Sequence, residues 1–219
     1  MESRGVAGDK RTAGDLGAYV CFEDEAGQGL RPPKGRTWAR RGARPVVRVR
    51  GTGGGRVSIA GVACYRPGDR PRLFYQLRVY RRRKGEAKGF SWSDYRDLII
   101  ATHRQLSAPL VWCWDNLNIH LAPELADFAA ENNDWLRIFR LPAYASELNP
   151  VEGIWSLLKR SMANFAAADV DGLARLVKRT LKKIQYRPHL IDGCLAAAGL
   201  TIEPVELQLT RYGSMSDDP

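Results

Sequence analysis

The chain has 219 residues, of which 44% are hydrophobic, with a net charge of +10 and a pI near 9.7. This length and apolar fraction predict one well-filled globular domain. The excess of Lys and Arg predicts a polyanionic partner, with nucleic acid the leading candidate. The N-terminus has no signal-peptide pattern and no apolar run approaches membrane-spanning length, so we expect a cytoplasmic protein with no membrane partner.

The cysteines exclude a common class of metal site. Cys21, Cys64, Cys113 and Cys194 lie far apart and form no CxxC pair, which argues against a zinc knuckle. We therefore expect buried thiols in a reducing compartment.

The sequence of the first half of the chain predicts an N-terminal arm followed by strands. Residues 1–17 are small, polar and Gly-rich, which predicts a disordered N-terminal arm. A basic loop punctuated by Pro and Gly occupies residues 31–45. Apolar and alternating runs predict strands at 18–24, 46–50, 57–65 and 73–80.

The second half alternates helices with strands. Helical spacing predicts a helix from Trp92 to Leu106, capped by Ser91 or Ser93, and the apolar run at 110–114 predicts a central strand buried on both faces. The pattern then predicts a helix at 123–132 and a strand at 135–141. It ends with helices at 150–164, 170–186 and 190–198 and a tail at 201–219. This order predicts a mixed five-stranded sheet flanked by helices, as in a ribonuclease H-like fold, over residues 18–200.

Three acids stand beside hydrophobic stretches. Asp24 continues the apolar face of the first strand, Asp115 ends the central strand, and Glu152 follows Asn149-Pro150 at the start of a helix. Each acid also has an ordinary structural explanation. Asp24 would be a strand-end carboxylate, Asp115 part of an Asp-Asn turn, and Glu152 a capping-box acid. Glu25 is a rival to Asp24, and strand alternation places Glu23 and Glu25 on the opposite face, where we expect them to be solvated or paired with the basic loop.

If these three carboxylates meet, they suit phosphoryl transfer assisted by two Mg²⁺ or Mn²⁺ ions. Glycosidases also use carboxyl pairs. The basic charge balance and the lack of an evident aromatic sugar platform favour nuclease chemistry over that alternative.

Three segments resemble one family, the DDE transposases of the mariner-related bacterial insertion sequences. They are Phe22-Glu-Asp-Glu-Ala-Gly27, the block at 112–120 (Trp-Cys-Trp-Asp-Asn-Leu-Asn-Ile-His) and the block at 141–159, which contains Ser-Glu-Leu-Asn-Pro-Val-Glu-Gly-Ile-Trp. The resemblance covers residues 18–165. It implies a ribonuclease H-like catalytic domain with Asp24, Asp115 and Glu152 as the metal-binding triad. The 36 residues between the last two (152 − 115 − 1) fit the family's interval.

The resemblance also implies a reaction and partners. Water would attack a phosphodiester at a transposon end, and the released 3′ hydroxyl would then attack target DNA, within a homodimer on the DNA. Asn116, His120 and Lys159 are expected to be auxiliary residues. His120 contacts the reacting phosphate or orders the acids, or it is a loop histidine bonded to backbone. Lys159 binds DNA phosphate, or it pairs with Glu152 or solvent.

Two basic segments are the expected DNA contacts. Residues 31–50 contain eight Lys or Arg and no acid, and residues 78–88 contain six more. Trp38 is expected to anchor the first segment in the core, with base stacking as the alternative. The residues predicted to contact phosphate are Lys34, Arg36, Arg40, Arg41, Arg81, Arg82 and Arg83.

One departure from the family concerns the N-terminus. Such transposases carry helix-turn-helix modules before the catalytic domain, yet 23 residues precede Asp24. We expect either a separately encoded helix-turn-helix half, joined by frameshifting or as a partner, or a truncated remnant. The alternative function is a non-catalytic, basic DNA-binding remnant of a transposase. The DNA partner makes a nucleoid-associated location the expectation.

Overall fold

The computed structural model of the protein describes residues 17–33, 40–42, 54–142, 146–163, 165 and 167–202. Its strands are β1 (Tyr19–Gly29), β2 (Arg56–Tyr65), β3 (Arg72–Tyr80), β4 (Leu110–Trp114) and β5 (Leu136–Arg140). Its helices are α1 (Trp92–Leu106), α2 (Pro123–Glu131), α3 (Pro150–Met162), α4 (Val170–Gln185) and α5 (Pro188–Ala197).

The sequence predicted these elements closely. The largest difference is β1, which continues five residues past its predicted end because its pairing with β2 runs on to Gly29 opposite Arg56. The predicted strand at 46–50 and almost all of the predicted arm (1–17) and tail (201–219) lie outside the described residues.

The strands form one mixed sheet in the order β3-β2-β1-β4-β5. β1 pairs antiparallel with β2 and β2 pairs antiparallel with β3, whereas β4 is parallel to both β1 and β5. The sheet therefore has its antiparallel hairpins on one side and its parallel strands on the other, as predicted. β1 lies at the junction and contributes to both halves.

Strand alternation divides the core between the two faces of the sheet. Val20 and Phe22 face the cluster formed with α3, α4 and α5, whereas Tyr19 and Cys21 face the cluster formed with α1 and α2. Every residue of β4 is buried, because helices cover it on both sides. The four cysteines are buried and none of them forms a disulfide, as expected.

The helix starts follow their local sequences. Ser91 caps α1, and its backbone N–H donates to the Asp94 carboxylate at 2.7 Å. α3 begins with Pro150 behind the Asn149 cap, and proline suits this position because its ring presets φ and no donor is lost. Among the helices described, none is long and apolar enough to cross a membrane.

Candidate active site

Asp24 and Asp115 follow the buried parts of two neighbouring parallel strands. In the β1–β4 register, Phe22 lies opposite Cys113. Two further residues along each strand place Asp24 beside Asp115, at the carboxyl end of the parallel pair. This edge is where open α/β sheets place their ligand sites.

Asp24 is held by a residue from α3. The indole Nε1 of Trp155 donates to Asp24 Oδ2 at 2.8 Å. Burial, followed by the charge of Glu152 and more weakly that of Asp115, raises the pKa of Asp24 to about 7, although the bond from Trp155 opposes the rise. The three predicted acids therefore interact electrostatically at one edge of the sheet.

Glu152 lies in the first turn of α3, and its helix is fastened directly to β1. Asn149 Nδ2 donates to the backbone carbonyl of Glu23 at 2.8 Å, while Asn149 Oδ1 accepts from Val151 N at 3.1 Å. The cap of α3 thus uses the Asn149 side chain, and Glu152 is exposed. This arrangement leaves the Glu152 carboxylate at the surface beside Asp24.

His120 is a buried residue beside the acidic edge. Its ring is 3% exposed and stacks on Trp114 with centroids 4.3 Å apart and 2° between planes. His120 Nδ1 lies 3.0 Å from Asp115 Oδ1, an oxygen that also accepts from Leu117 N at 3.1 Å. Nδ1 also lies 3.3 Å from the Asp115 carbonyl, so the backbone contact and the ordering of the acid occur together.

Glu23 corrects a prediction. We expected it to be solvated or paired with the basic loop, but its side chain is fully buried, with Oε2 3.4 Å from His120 Nε2. Burial and the charges of Asp24, Glu25 and Asp115 raise the pKa of Glu23 well above its ordinary value. Glu25, on the same face, accepts a short hydrogen bond from the Tyr95 hydroxyl.

The burial of Glu23 had a signal in the sequence. Its alternation partners, Tyr19 and Cys21, are apolar, and the strand continues past them to Gly29. A longer strand would have placed Glu23 within its buried part. The contacts of Trp155 and Asn149 with β1 had no such signal, because they join residues 126 or more positions apart.

The acids fit divalent ions by their chemistry. Asp24, Asp115 and Glu152 supply the hard oxygen donors that Mg²⁺ and Mn²⁺ prefer. Within the described part of the chain, no Lys or Arg forms an ion pair with any of the three, so their charge has no lysine or arginine to balance it. However, no group of three or more His, Cys, Asp or Glu residues there is arranged so that it could hold a metal ion.

The other auxiliary residues have different environments. Asn116 Nδ2 donates to the Leu141 carbonyl at 3.2 Å, which ties the end of β4 to the segment after β5. Lys159 is exposed on the same face of α3 as Glu152 and Ser156, as the helical spacing predicted. No ion pair between Lys159 and Glu152 occurs in the residues that can be described.

The predicted DNA contacts are only partly described. Lys34, Arg36 and Trp38 lie outside the described residues, whereas Arg40 and Arg41 are exposed. Arg81 is also exposed, and its guanidinium lies 2.5 Å from Asp171 Oδ1 at the start of α4. Arg82 and Arg83 follow it and are exposed.

Known structures share this fold. The chain aligns with the Mos1 strand transfer complex at a TM-score of 0.52 and 16% identity, covering 84% of this chain and 56% of that one. A pre-cleavage Mos1 transpososome aligns at a TM-score of 0.52 and 15% identity, and the alignment covers 84% of this chain and 57% of that one. The mariner Mos1 paired-end complex with Mg aligns at a TM-score of 0.50 and 16% identity, and the alignment covers 93% of this chain and 65% of that one. This chain therefore spans about 56 to 65% of the length of these Mos1 chains.

The sequence also matches a family model. No curated protein matched the chain significantly. The model of the DDE superfamily endonucleases, in contrast, matches residues 19–173, which include β1, β4, α3 and all three predicted acids. With its mixed five-stranded sheet and this match over more than half of its length, the chain belongs to the DDE superfamily endonucleases and has their ribonuclease H-like fold.

Proposed function

We propose that this chain is the catalytic domain of a transposase that cleaves DNA at the ends of an insertion sequence and joins the released strand to target DNA. The observation that carries the proposal is the placement of Asp24, Asp115 and Glu152 at one edge of the sheet, in a chain that belongs to the DDE superfamily endonucleases. Each acid is positioned by a different element: β1, β4 or α3.

Asp24, Asp115 and Glu152 would hold two Mg²⁺ or Mn²⁺ ions, which when bound would supply activation of the attacking oxygen and stabilisation of the leaving one in phosphoryl transfer. Trp155 fixes one oxygen of Asp24, and His120 together with Leu117 N fixes one oxygen of Asp115. Asn149 sets the distance between Glu152 and β1 by bonding α3 to the Glu23 carbonyl. Two similar Mos1 structures are paired-end complexes with Mn or Mg, which supports the choice of ions.

The DNA partners follow from the same proposal. The similar Mos1 structures are described as strand transfer and paired-end complexes, one of them with a left transposon end, which supports transposon ends and target DNA as ligands. We further propose a homodimer on the DNA, and end recognition by a helix-turn-helix half encoded separately. Exposed Arg40, Arg41, Arg82 and Arg83 would contact phosphates.

The test is nicking of supercoiled plasmid and of a duplex carrying the element's ends, with Mg²⁺, with Mn²⁺ and with EDTA. We expect metal-dependent nicking that is lost in Asp24→Asn, Asp115→Asn and Glu152→Gln. Glu131→Gln, an exposed acid at the end of α2, is the matched control and should nick normally. Nicking that survives in all three acid variants would contradict the proposed catalytic function.

The second candidate function is a non-catalytic, basic DNA-binding remnant. It is favoured by the finding that the described acids are not gathered into a metal-holding group. DNA binding without nicking, even when a helix-turn-helix module is supplied, would select this function.

A further inference from the structure

α4 presents a run of positive charge that the sequence analysis did not assign. Residues 172–191 contain six Lys or Arg and no Asp or Glu. Five of them recur at positions 175, 178, 179, 182 and 183, the spacing of one helical face. All five are exposed; we call them the α4 stripe, and its members are Arg175, Lys178, Arg179, Lys182 and Lys183.

No member of the α4 stripe forms an ion pair in the part of the chain that the structure describes, although the charge of Arg175 helps to lower the pKa of Asp171 at the start of the helix. Protein surfaces usually intersperse both signs of charge, because like charges on one helix face repel each other. A stripe without acids therefore favours a partner that supplies the negative charge.

The direction of α4 relates the stripe to the acidic edge. Its first turn carries Asp171, which binds Arg81 just after β3, and its last residue, Gln185, donates to the Leu73 carbonyl at the start of β3. β3 runs parallel to β1, because both pair antiparallel with β2. In the sheet register Asp24 lies opposite Gly61 and Gly61 lies opposite Tyr75, so the level of Asp24 falls between the two ends of α4 and closer to the end at Gln185.

Exposed aromatic side chains stand at both ends of the stripe. Phe165 is 48% exposed and lines a groove together with Arg175 and Arg179. Tyr186 is 67% exposed, and Lys182 Nζ lies 5.9 Å from its ring centroid. Aromatic rings interleaved with cations are typical of surfaces that bind nucleic acid.

The opposite face of α4 excludes a lipid partner. A basic amphipathic helix binds a membrane by inserting its apolar face. Here that face, including Leu173, Val177 and Leu181, is buried in the core against the sheet. Only the charged face is available to a partner.

We propose that the α4 stripe is a DNA contact surface that binds phosphates of duplex DNA outside the acidic edge. From Arg175 to Lys183 it spans about 12 Å at the usual helical rise. Duplex DNA carries about one charge per 1.7 Å of axis, so this length offers about seven phosphates. The proposal rests on the proposed function for its choice of DNA as the ligand.

The test uses the full chain in EDTA, so that no strand is cut, and a 30-base-pair duplex whose binding is followed by anisotropy over a range of salt concentrations. Lys178→Gln with Lys182→Gln should weaken binding about tenfold at low salt. It should also reduce the slope of log K against log salt by about 1.8, because each lost phosphate contact contributes about 0.9. The charge-retaining pair Lys178→Arg with Lys182→Arg should bind normally.

The matched control removes two charges from the other face of the sheet, as Arg96→Gln with Arg104→Gln on α1. Equal weakening by both pairs, or weakening by neither, would overturn the proposal. A second measurement needs no variant: acetylation of Lys178, Lys182 and Lys183 in the wild-type chain should slow when duplex is added. Unchanged acetylation would also overturn the proposal, even if the chain nicks DNA. Protection from acetylation without nicking would support DNA binding by the stripe and count against the cleavage function.

Discussion

Trp155 and Asp24 are joined by a hydrogen bond of 2.8 Å, although 131 residues separate them. The bond crosses from α3 to β1 and fixes the carboxylate oxygen Oδ2 of Asp24. It also lowers the pKa of Asp24, against burial and the neighbouring acids that raise it to about 7. The same residue therefore packs the core and adjusts the protonation of a proposed metal ligand.

Replacing Trp155 with Phe should uncouple these two roles. We expect a loss of about 1–3 kcal/mol in the free energy of unfolding, since a hydrogen bond to a charged group is removed. The pKa of Asp24 should rise further, so the pH profile of nicking should move to higher pH and more Mg²⁺ should be needed, because carboxylate ligands bind metal when deprotonated. Urea unfolding and nicking between pH 6 and 9 are the measurements.

The control is Trp92→Phe, a partly buried indole on α1 beyond the other face of the sheet. Its nicking profile should keep the wild-type pH dependence. If Trp155→Phe also keeps that profile, the bond does not adjust Asp24.

Gly61 provides the space for the Trp155 ring. It lies opposite Asp24 in the β1–β2 register, and a Cβ atom there would come within 2.5 Å of Trp155 Cη2. Gly61→Ala should therefore push the indole away from Asp24, lowering both the melting temperature and the nicking rate. The control is Gly193→Ala in α5, where a Cβ meets nothing within 4 Å. That change should leave nicking unchanged and stabilise the chain by about 0.5–1 kcal/mol. Equal melting temperatures for Gly61→Ala and the wild type would refute the argument.

The buried carboxyl of Glu23 should make stability depend on pH. Its pKa is raised in the folded chain, so above its ordinary value of 4.5 the folded state holds a proton that the unfolded state has lost. The free energy of unfolding should then fall as pH rises from about that value toward the folded pKa. Glu23→Gln removes this dependence and should be at least about 1 kcal/mol more stable than wild type at pH 8, but not at pH 4.

Urea unfolding in EDTA at both pH values checks this prediction, because bound metal would otherwise alter the charge around Glu23. Glu131→Gln, exposed on α2, should change stability little at either pH. A Glu23→Gln variant that is less stable than wild type at pH 8 would show that the carboxylate is ionised and compensated.

The fold was predictable because its signals are local. The apolar run of β4, the alternation of β1 and the caps at Ser91 and Asn149 each depend on a few neighbouring residues. The end of β1 was not predictable in the same way, because residues 25–29 extend only through pairing with β2, and their sequence, Glu-Ala-Gly-Gln-Gly, is not strand-like.

The candidate site was predictable as a list of acids but not as a structure. Asp24, Asp115 and Glu152 follow from motifs, whereas the bonds that position them join distant segments: Trp155 with β1, Asn149 with the Glu23 carbonyl. Periodicity places a side chain on a face but does not say which residue of another element it meets. The alternation of Glu23 with Tyr19 and Cys21 could have indicated its burial, but not that it would lie against His120.

His120 should act as a positioning residue for Asp115. Burial lowers the pKa of His120, which favours the neutral ring, and its Nδ1 lies 3.0 Å from Asp115 Oδ1 while Nε2 faces Glu23 Oε2. His120→Phe keeps a ring that can stack on Trp114 but removes both nitrogens. We expect nicking to fall about 10- to 100-fold, as is typical when a partner of a metal ligand is lost. The loss should be partly recovered at high Mn²⁺, because a loosened Asp115 weakens metal binding.

The chain offers a matched control in His103, which also stacks on an indole, that of Trp135, with centroids 4.0 Å apart. His103 lies on α1, and its Nδ1 contacts the Ala108 carbonyl at 2.9 Å, so it orders a turn and not an acid. His103→Phe should therefore lower thermal stability without changing the Mn²⁺ dependence of nicking. If both variants shift the melting temperature equally and neither alters that dependence, His120 serves packing alone and the ordering of Asp115 rests on Leu117 N.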